Sequence, residues 1–425
     1  MVDSSNLLEK IKTKKAKVGI IGLGYVGLPL ALLFARKGFS VTGFMRNEKK
    51  VDRLMKGDHD LGEKNVTRDL RAVIKSGRFQ AVLTNKDDLS KQDVLIVCVP
   101  TPVNEDKTPD LSDLLSVASQ LKTIDATKKL IINESTVAPF TTRNTFGSLK
   151  GTYFLVSSPE RVDPGNHEKT VNKIPKVVGG RDKESLALGK ALYESVLDAE
   201  VITVGTLESA EMAKIMENTY RAVNIALVNE FARLAEKCDV DILEVIKAAK
   251  SKWSFHAHYP SVGVGGHCIP VDPYYLLQLA DSKKVSMDVV AHGLEENEKM
   301  PGFVAQKVKK VYKKGMKVLV YGLAYKKDIN DFRESPVIVL GNALKEKSIP
   351  FTVYDPHIKL EVIEKLGFSN GKLGKVDILI IGTDHSELKK DSHALIANKT
   401  VVIDGRNYFQ TKVGKAVYGI GRTMV

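Results

Sequence analysis

The chain has 425 residues, 43% hydrophobic and 27% charged, which implies two or three domains and excludes a disordered or fibrous protein. Its three cysteines, Cys98, Cys238 and Cys268, are too few and too far apart for a disulfide framework and point to a reducing cytoplasm. The net charge of +13 suits small anionic ligands, but the cations are scattered and no basic strand carries aromatics, so nucleic acid is not an expected partner.

Glu9 to Lys17, "EKIKTKKAK", reads as part of a basic tail, with residues 1–16 ahead of the first domain. Val18 to Ala35 is an uncharged run just long enough to cross a bilayer. Its glycines, three of them at a motif spacing, and its proline argue instead for a soluble fold with no membrane contact. From 17 to 205, "KVGIIGLG", "FSVTGFM", "DVLIVCVP", "KLIINES", "TYFLVSSP" and "PKVVGG" read as strands alternating with helical stretches. Such apolar strands predict a parallel sheet covered on both faces. From 206 to 300 the pattern is helical. It opens with a long helix from Glu208, followed by "DILEVIKAA", the glycine-rich segment around Cys268, and further helix near Asp281. From 301 to 425, "KVLVYGLAY", "FTVYDP", "VDILIIGT" and "TVVIDG" predict a second doubly wound unit. The fold class is α/β, two Rossmann-like domains joined by a helical centre, with the long helix a surface for homodimer pairing.

"GLGYVG" places Gly22, Leu23, Gly24, Tyr25, Val26 and Gly27 between a strand and a helix in the spacing G-x-G-x-x-G. The first glycine permits the turn, the second lets a pyrophosphate approach, and the third seats the helix on the strand. A dinucleotide cofactor is expected. The second strand ends in Met45 and Arg46, where an acidic ribose ligand is usual. That pairing permits NADP, while a ribose contact from Asn47 or Glu48 would retain NAD.

Three polar loops follow strand ends of this unit, where open α/β sheets bind ligands: Thr101 in "VPTPV", Ser135 and Thr136 in "NESTVAPF", and Glu160 and Arg161 in "SSPERVDPG". In the long helix, Lys214, Asn218 and Arg221 share one face, either lining a cleft or forming a solvated stripe. "VGVGGHCIPVDPYYL" puts Cys268 after Gly265, Gly266 and His267 and before Asp272. A thiolate there could trap an aldehyde as a thiohemiacetal, which oxidation turns into a thioester and water into an acid. Asp272 could orient the water, and Lys214 with Asn218 could stabilise the oxyanion. A small buried cysteine is the alternative. His267 and Cys268 lack further ligands at zinc spacing, so no metal is expected.

Seven segments in order resemble the UDP-glucose/GDP-mannose dehydrogenase family: "GIIGLGYVGLPLA", "VPTPV", "ESTV", "SPERVDPG", "EMAKIMENTYRAVNIALVNE", "GVGGHCIPVDPYYL" and "GLAYKKDINDFRESP". The resemblance implies a nucleotide-binding domain, a dimerising centre and a UDP-sugar domain. It also implies NAD-dependent four-electron oxidation of a sugar C6 alcohol, as used in polysaccharide biosynthesis. By resemblance Cys268 holds the covalent intermediate, Glu160 and Thr136 surround C6 and its water, and Asp272 assists as base. Lys214 and Asn218 become the oxyanion pair. Arg161, Arg221, Gly265, Gly266 and His267 fall among the substrate contacts, and Lys326 and Arg333 reach substrate and cofactor. Where the UDP-glucose branch reads "GGSCFPKD", His267 and "IPVDPYYL" resemble the branch acting on UDP-N-acetylhexosamines, with UDP-glucose as the alternative substrate. A two-electron hydroxy-acid dehydrogenase or a non-catalytic nucleotide sensor would not need Cys268.

Overall fold

A computed structural model describes residues 4–59, 61, 64–162 and 170–422. It divides into two compact units, Met1–Glu217 with Tyr274–Leu279, and Asn218–Pro273 with Ala280–Val425.

The first unit carries strands β1 (Lys17–Ile21), β2 (Ser40–Met45), β3 (Phe79–Leu83), β4 (Val94–Val97), β5 (Leu130–Asn133), β6 (Phe154–Ser157), β7 (Lys176–Gly180) and β8 (Val201–Val204). They form one sheet in the order β3-β2-β1-β4-β5-β6-β7-β8. Alternate residues serve opposite faces: Val94 and Ile96 join the cluster that includes Val18, Ile20 and Phe34, while Leu95 and Val97 join Ile131 and Leu155. Both faces are buried, as the unbroken apolar strands require. The chain order reverses at β1, whose neighbours are β2 and β4, and that crevice is where such sheets bind ligands.

Three expectations change. Strands β3 and β8 lie outside the sequence reading: "FQAVL" alternates over only five residues and "VITV" is short and half exposed. The sheet is not wholly parallel, because β7 runs antiparallel to β6, with Val156 opposite Gly180 and Ser157 opposite Gly179. The basic segment is no tail. Ser5–Lys12 is a helix with Leu7 and Ile11 buried in the core, Lys12 exposed and Lys10 paired with Asp93 at 2.7 Å. The apolar run from Val18 splits into β1, a turn and the helix Gly27–Arg36, and no described helix is long and apolar enough to cross a membrane.

The second unit carries β9 (Val318–Tyr321), β10 (Thr352–Tyr354), β11 (Ile378–Ile381), β12 (Val401–Asp404) and β13 (Ala416–Gly419), parallel in the order β10-β9-β11-β12-β13. β13 also escaped the sequence reading. Val318 and Val320 face one cluster, with Val228, Ala232 and Val304 from helices; Leu319 and Tyr321 face the other. The helix Leu207–Lys237 matches the long helical pattern, and Asp272–Ser282 begins directly after the cysteine segment, earlier than Asp281.

Asp355, at the end of β10, occupies the place where a dinucleotide-binding unit keeps its ribose carboxylate. Here it is spent on the fold. Its Oδ2 accepts the N–H groups of Leu323 and Ala324 at 2.6 and 3.0 Å and lies 3.1 Å from His385 Nε2. Its Oδ1 accepts from His357 and Ile358. Burial alone would raise this carboxyl, but His385 and the backbone donors outweigh it and hold it at about 2. A folded pKa below the ordinary value adds stability above pH about 4 and loses it as pH falls to about 2. Asp355→Asn should therefore cost about 2 kcal/mol at pH 7, a difference that shrinks towards pH 2 in urea unfolding series.

Candidate active site

In the first unit, Gly22 sits at φ +95°, and a Cβ there would meet Cys98 O at 2.6 Å. A Cβ on Gly27 would meet Gly22 O at 1.9 Å, so the turn and helix close only with glycine at both positions. Gly24 has open space over its Cα, and the helix Gly27–Arg36 starts beside it. A glycine turn with an open middle, at a helix N-terminus and a strand switch point, fits a dinucleotide pyrophosphate. The side chain of Leu23 is buried and a Cβ on Gly43 would touch it, so only its backbone can face a cofactor. Val26 packs on the core, and Tyr25 is half-buried.

Arg46 is exposed and its Nη1 pairs with Asp113 Oδ1 at 2.7 Å. The Asn47 side chain accepts from Lys50 N and caps a helix. On the same sheet edge Thr101 Oγ1 donates to Thr136 O at 2.7 Å, and Ser135 Oγ donates to Val99 O at 2.7 Å. Tyr275 OH donates to Thr101 O at 2.5 Å, fixing that loop. The loops after β4 and β5 are thus joined to each other.

Glu160 is buried among charges. Its Oε1 accepts the N–H groups of Arg161 and Val162 at 2.7 and 2.8 Å, and its Oε2 accepts from Lys176 Nζ at 2.6 Å. Lys176 also donates to Glu134 Oε2 at 2.8 Å, and Tyr193 OH donates to Glu134 Oε1. Burial pushes Glu134 up to about 7 against the pull of Lys176, while Lys176 and the backbone donors outweigh burial and hold Glu160 below the usual range. Arg161 turns to Glu217 at 2.7 Å. Asp163, Pro164 and Gly165 of "SSPERVDPG" lie outside the described residues. Lys214 and Asn218 are buried on the helix Leu207–Lys237, whereas Arg221 is exposed, so two of the three residues expected on that face are buried.

In the second unit Cys268 is exposed. Its carbonyl accepts the N–H of Asp272 at 2.8 Å, and the Asp272 carboxylate accepts from Asn218 Nδ2 at 2.5 Å. Asn218 and Asp272 are both buried. The thiol turn is gripped by the segment after β9. A Cβ on Gly265 would meet Glu334 O, Pro336 Cδ and Tyr325 Cβ at 2.7 Å each, and one on Gly266 (φ +91°) would meet the Tyr325 ring. Gly266 N also donates to Arg333 O at 3.3 Å. Arg333 is forked onto Asp331, through Nε at 2.8 Å and Nη2 at 2.5 Å, and Lys326 is half-buried. Burial first, then the Arg333 charge, lowers the His267 pKa, and His267 Nε2 is a buried atom without a hydrogen-bond partner. Such an environment favours neutral imidazole.

The ligand atoms of Asp328, His357 and His385 lie within 4.8 Å of one another. The ring of His385 is already engaged, however, by Asp328 N–H at Nδ1 and Asp355 at Nε2, which reads as a hydrogen-bonded hub.

Three profiles of the UDP-glucose/GDP-mannose dehydrogenase family match in order: the NAD binding domain over residues 16–197, the central domain over 208–299 and the UDP binding domain over 319–411. A UDP-N-acetyl-D-mannosamine dehydrogenase of Methanococcus vannielii is 33% identical over 418 residues, 95% of this chain and 96% of that protein. The chain belongs to this family. Among its other relatives, a UDP-N-acetyl-D-glucosamine 6-dehydrogenase of Pseudomonas aeruginosa is 35% identical over 395 residues, covering 88% of this chain and 92% of that protein. The structure of a UDP-D-ManNAc dehydrogenase from Pyrococcus horikoshii superposes with a TM-score of 0.85 at 31% identity, covering 96% and 99% of the two chains. Family membership makes the protein an NAD-dependent nucleotide-sugar dehydrogenase with an NAD-binding and a UDP-binding domain.

The residues that the sequence did not single out are Glu134, Lys176, Tyr193, Asp331 and Asp355. Glu134 lies inside "NESTV" and Lys176 follows the proline of "PKVVGG", but a charge at a strand end looks like an edge residue until the partner strands are known.

Proposed function

We propose that the protein oxidises the C6 alcohol of a UDP-N-acetylhexosamine, UDP-GlcNAc or UDP-ManNAc, to the uronic acid through a covalent intermediate on Cys268. The observation that carries this reading is the thiol turn: an exposed Cys268, backed by Asp272, whose carboxylate is held by Asn218. Gly22, Gly24 and Gly27 would hold NAD, which when bound would supply the hydride acceptor for both oxidations. At the aldehyde level the Cys268 sulfur bonds C6, and its proton passes to Asp272. Lys214 and Asn218 offer N–H donors to the oxyanion, a preorganised charge acceptor. At the thioester level water adds at C6, Glu160 and Thr136 hold it, and the C–S bond breaks to return the thiol and release the acid. Arg161, His267, Lys326 and Arg333 supply contacts for the sugar and the nucleotide.

The substrate assignment draws on His267 in the thiol turn and on the printed names of the relatives. The product, an activated uronic acid, is a precursor for polysaccharide synthesis, and cysteines that form no disulfide suit the cytoplasm. We further infer a homodimer through the long helix, because Tyr220, Leu227, Phe231 and Leu234 are 47%, 49%, 53% and 60% exposed along it. Sedimentation equilibrium should give twice the chain mass, and charged residues at Phe231 and Leu234 should halve it.

The deciding experiment measures cofactor reduction and acid product with UDP-GlcNAc, UDP-ManNAc and UDP-glucose. Two reduced cofactors per acid, with an acetylated sugar preferred, is the expected result. One per sugar, stopping at the aldehyde, would make Cys268 structural, and a preference for UDP-glucose would move the protein to the other branch. NAD is the proposed cofactor because Asp113 engages Arg46. Met45→Asp should raise the NAD-to-NADP ratio of kcat/KM by at least about tenfold, by repelling a 2′-phosphate. An unchanged ratio would mean that Met45 does not face the ribose.

A further inference from the structure

The buried trio of Glu134, Lys176 and Glu160 has chemistry that the proposed steps leave unused. Side-chain exposures are 0%, 5% and 9%, so three ionisable groups share a water-poor site. The reversal of β7 creates it. In an antiparallel strand the first residue, Lys176, stands at the edge where β5 and β6 end, next to Glu134 and Glu160. Two of the three ammonium donors are spent on the two carboxylates, and Nζ lies 5.3 Å from the centre of the Tyr193 ring.

We propose that Lys176 is a positioning residue of the reaction, whose ammonium keeps Glu160 ionised and aimed, while Glu134 holds the proton that balances the charge of the trio. This rests on the reading of Glu160 as the carboxylate beside the reacting carbon. Two carboxylates and one ammonium leave a net negative charge, and burial makes that costly, so one proton belongs to the group. Geometry assigns it to Glu134. Glu160 already accepts two backbone N–H groups and the ammonium, whereas Glu134 accepts the ammonium and the Tyr193 hydroxyl. The directions of the two carboxyl shifts agree with that assignment. The other groups facing the trio are the buried Cys98 thiol, pushed up chiefly by burial, and the Tyr193 hydroxyl. The Arg161 guanidinium is turned away to Glu217 and Pro175 O.

The test is the pH profile of acid formation by the full-length enzyme, between pH 5 and 10. The chain variants are Glu160→Gln, Lys176→Arg and the double variant Lys176→Met with Glu134→Gln. The double variant removes the ammonium together with the Glu134 carboxyl, which leaves one bare buried carboxyl instead of two; NADH binding and thermal unfolding check its fold. Without the ammonium, only the two backbone donors oppose burial at Glu160, and the acid limb of the double variant should move up by at least about one pH unit, a tenfold loss at a pH on that limb. Lys176→Arg, which keeps the charge, should restore the limb to near its native position. A double-variant limb that coincides with the native one, while Glu160→Gln is crippled, overturns the positioning role alone. A Glu160→Gln enzyme that forms acid at the native rate overturns the reading of Glu160 and the positioning role with it.

Discussion

Cys268→Ser should form the uronic acid at less than about one-thousandth of the native rate, an increase of about 4 kcal/mol in the barrier of the slowest step. The loss follows from the chemistry of the two heteroatoms. A thiol ionises near neutral pH and a serine hydroxyl does not, so a carboxylate such as that of Asp272, a weak base, can take the proton of the thiol but not that of serine. Any ester formed on serine is also a poorer acyl donor than a thioester. The turn itself should survive, since oxygen for sulfur at an exposed position leaves the contacts of Gly265 and Gly266 with Tyr325 in place. NADH binding and the melting temperature should therefore match those of the native protein, while the acid vanishes from the product analysis. Native acid formation by the serine variant would exclude the covalent route.

Gly27→Val is expected to weaken dinucleotide binding by at least about a hundredfold, close to 3 kcal/mol, and to cost about 1–3 kcal/mol of stability by overpacking. The clash is with backbone: the added Cβ would lie 1.9 Å from Gly22 O and 3.0 Å from Gly22 C, so no rotamer change relieves it. The helix must lift off β1, and its N-terminal N–H groups leave the pyrophosphate position with it. Gly24→Ala separates the two effects. That position has no chain atom within 4 Å of the new Cβ, so stability should hold and only cofactor affinity should fall. NADH fluorescence titration and thermal melts of both variants make the comparison. Equal melting-temperature losses would mean that the two glycines serve the fold alike.

The residues at which sequence and structure agree are those where one local rule decides. The G-x-G-x-x-G spacing needs no partner to be read, because Gly22 and Gly27 constrain each other within one turn. The long helix from Leu207 declares itself by period and by the absence of glycine and proline. The charge trio could not be read in this way. Glu134, Glu160 and Lys176 come from three separate segments, and their meeting depends on β7 running against β6, a choice that apolar composition does not encode. Asp355 also passed unread. It stands where a ribose ligand would, but the backbone of the turn after β9 takes its oxygens first. Arg221 shares the helical face of Asn218 by spacing and is nevertheless exposed, since the strip of a helix that is buried can end within a turn.

The reversed strand has a consequence for folding accuracy. Its ladder with β6 has only two paired positions, and on the β7 side both are glycines, Gly180 and Gly179. Side chains that usually penalise a slipped pairing are missing there, and glycine-rich strands hold register weakly. A shift by one residue would turn Lys176 to the opposite face and present Val177 to the two carboxylates. The misaligned state would then bury Glu134 and Glu160 without their counter-ion, a penalty of about 3–5 kcal/mol for an unpaired buried charge. The ammonium thus acts as an alignment pin: the ladder supplies little discrimination between neighbouring alignments, and the ion pairs supply it instead.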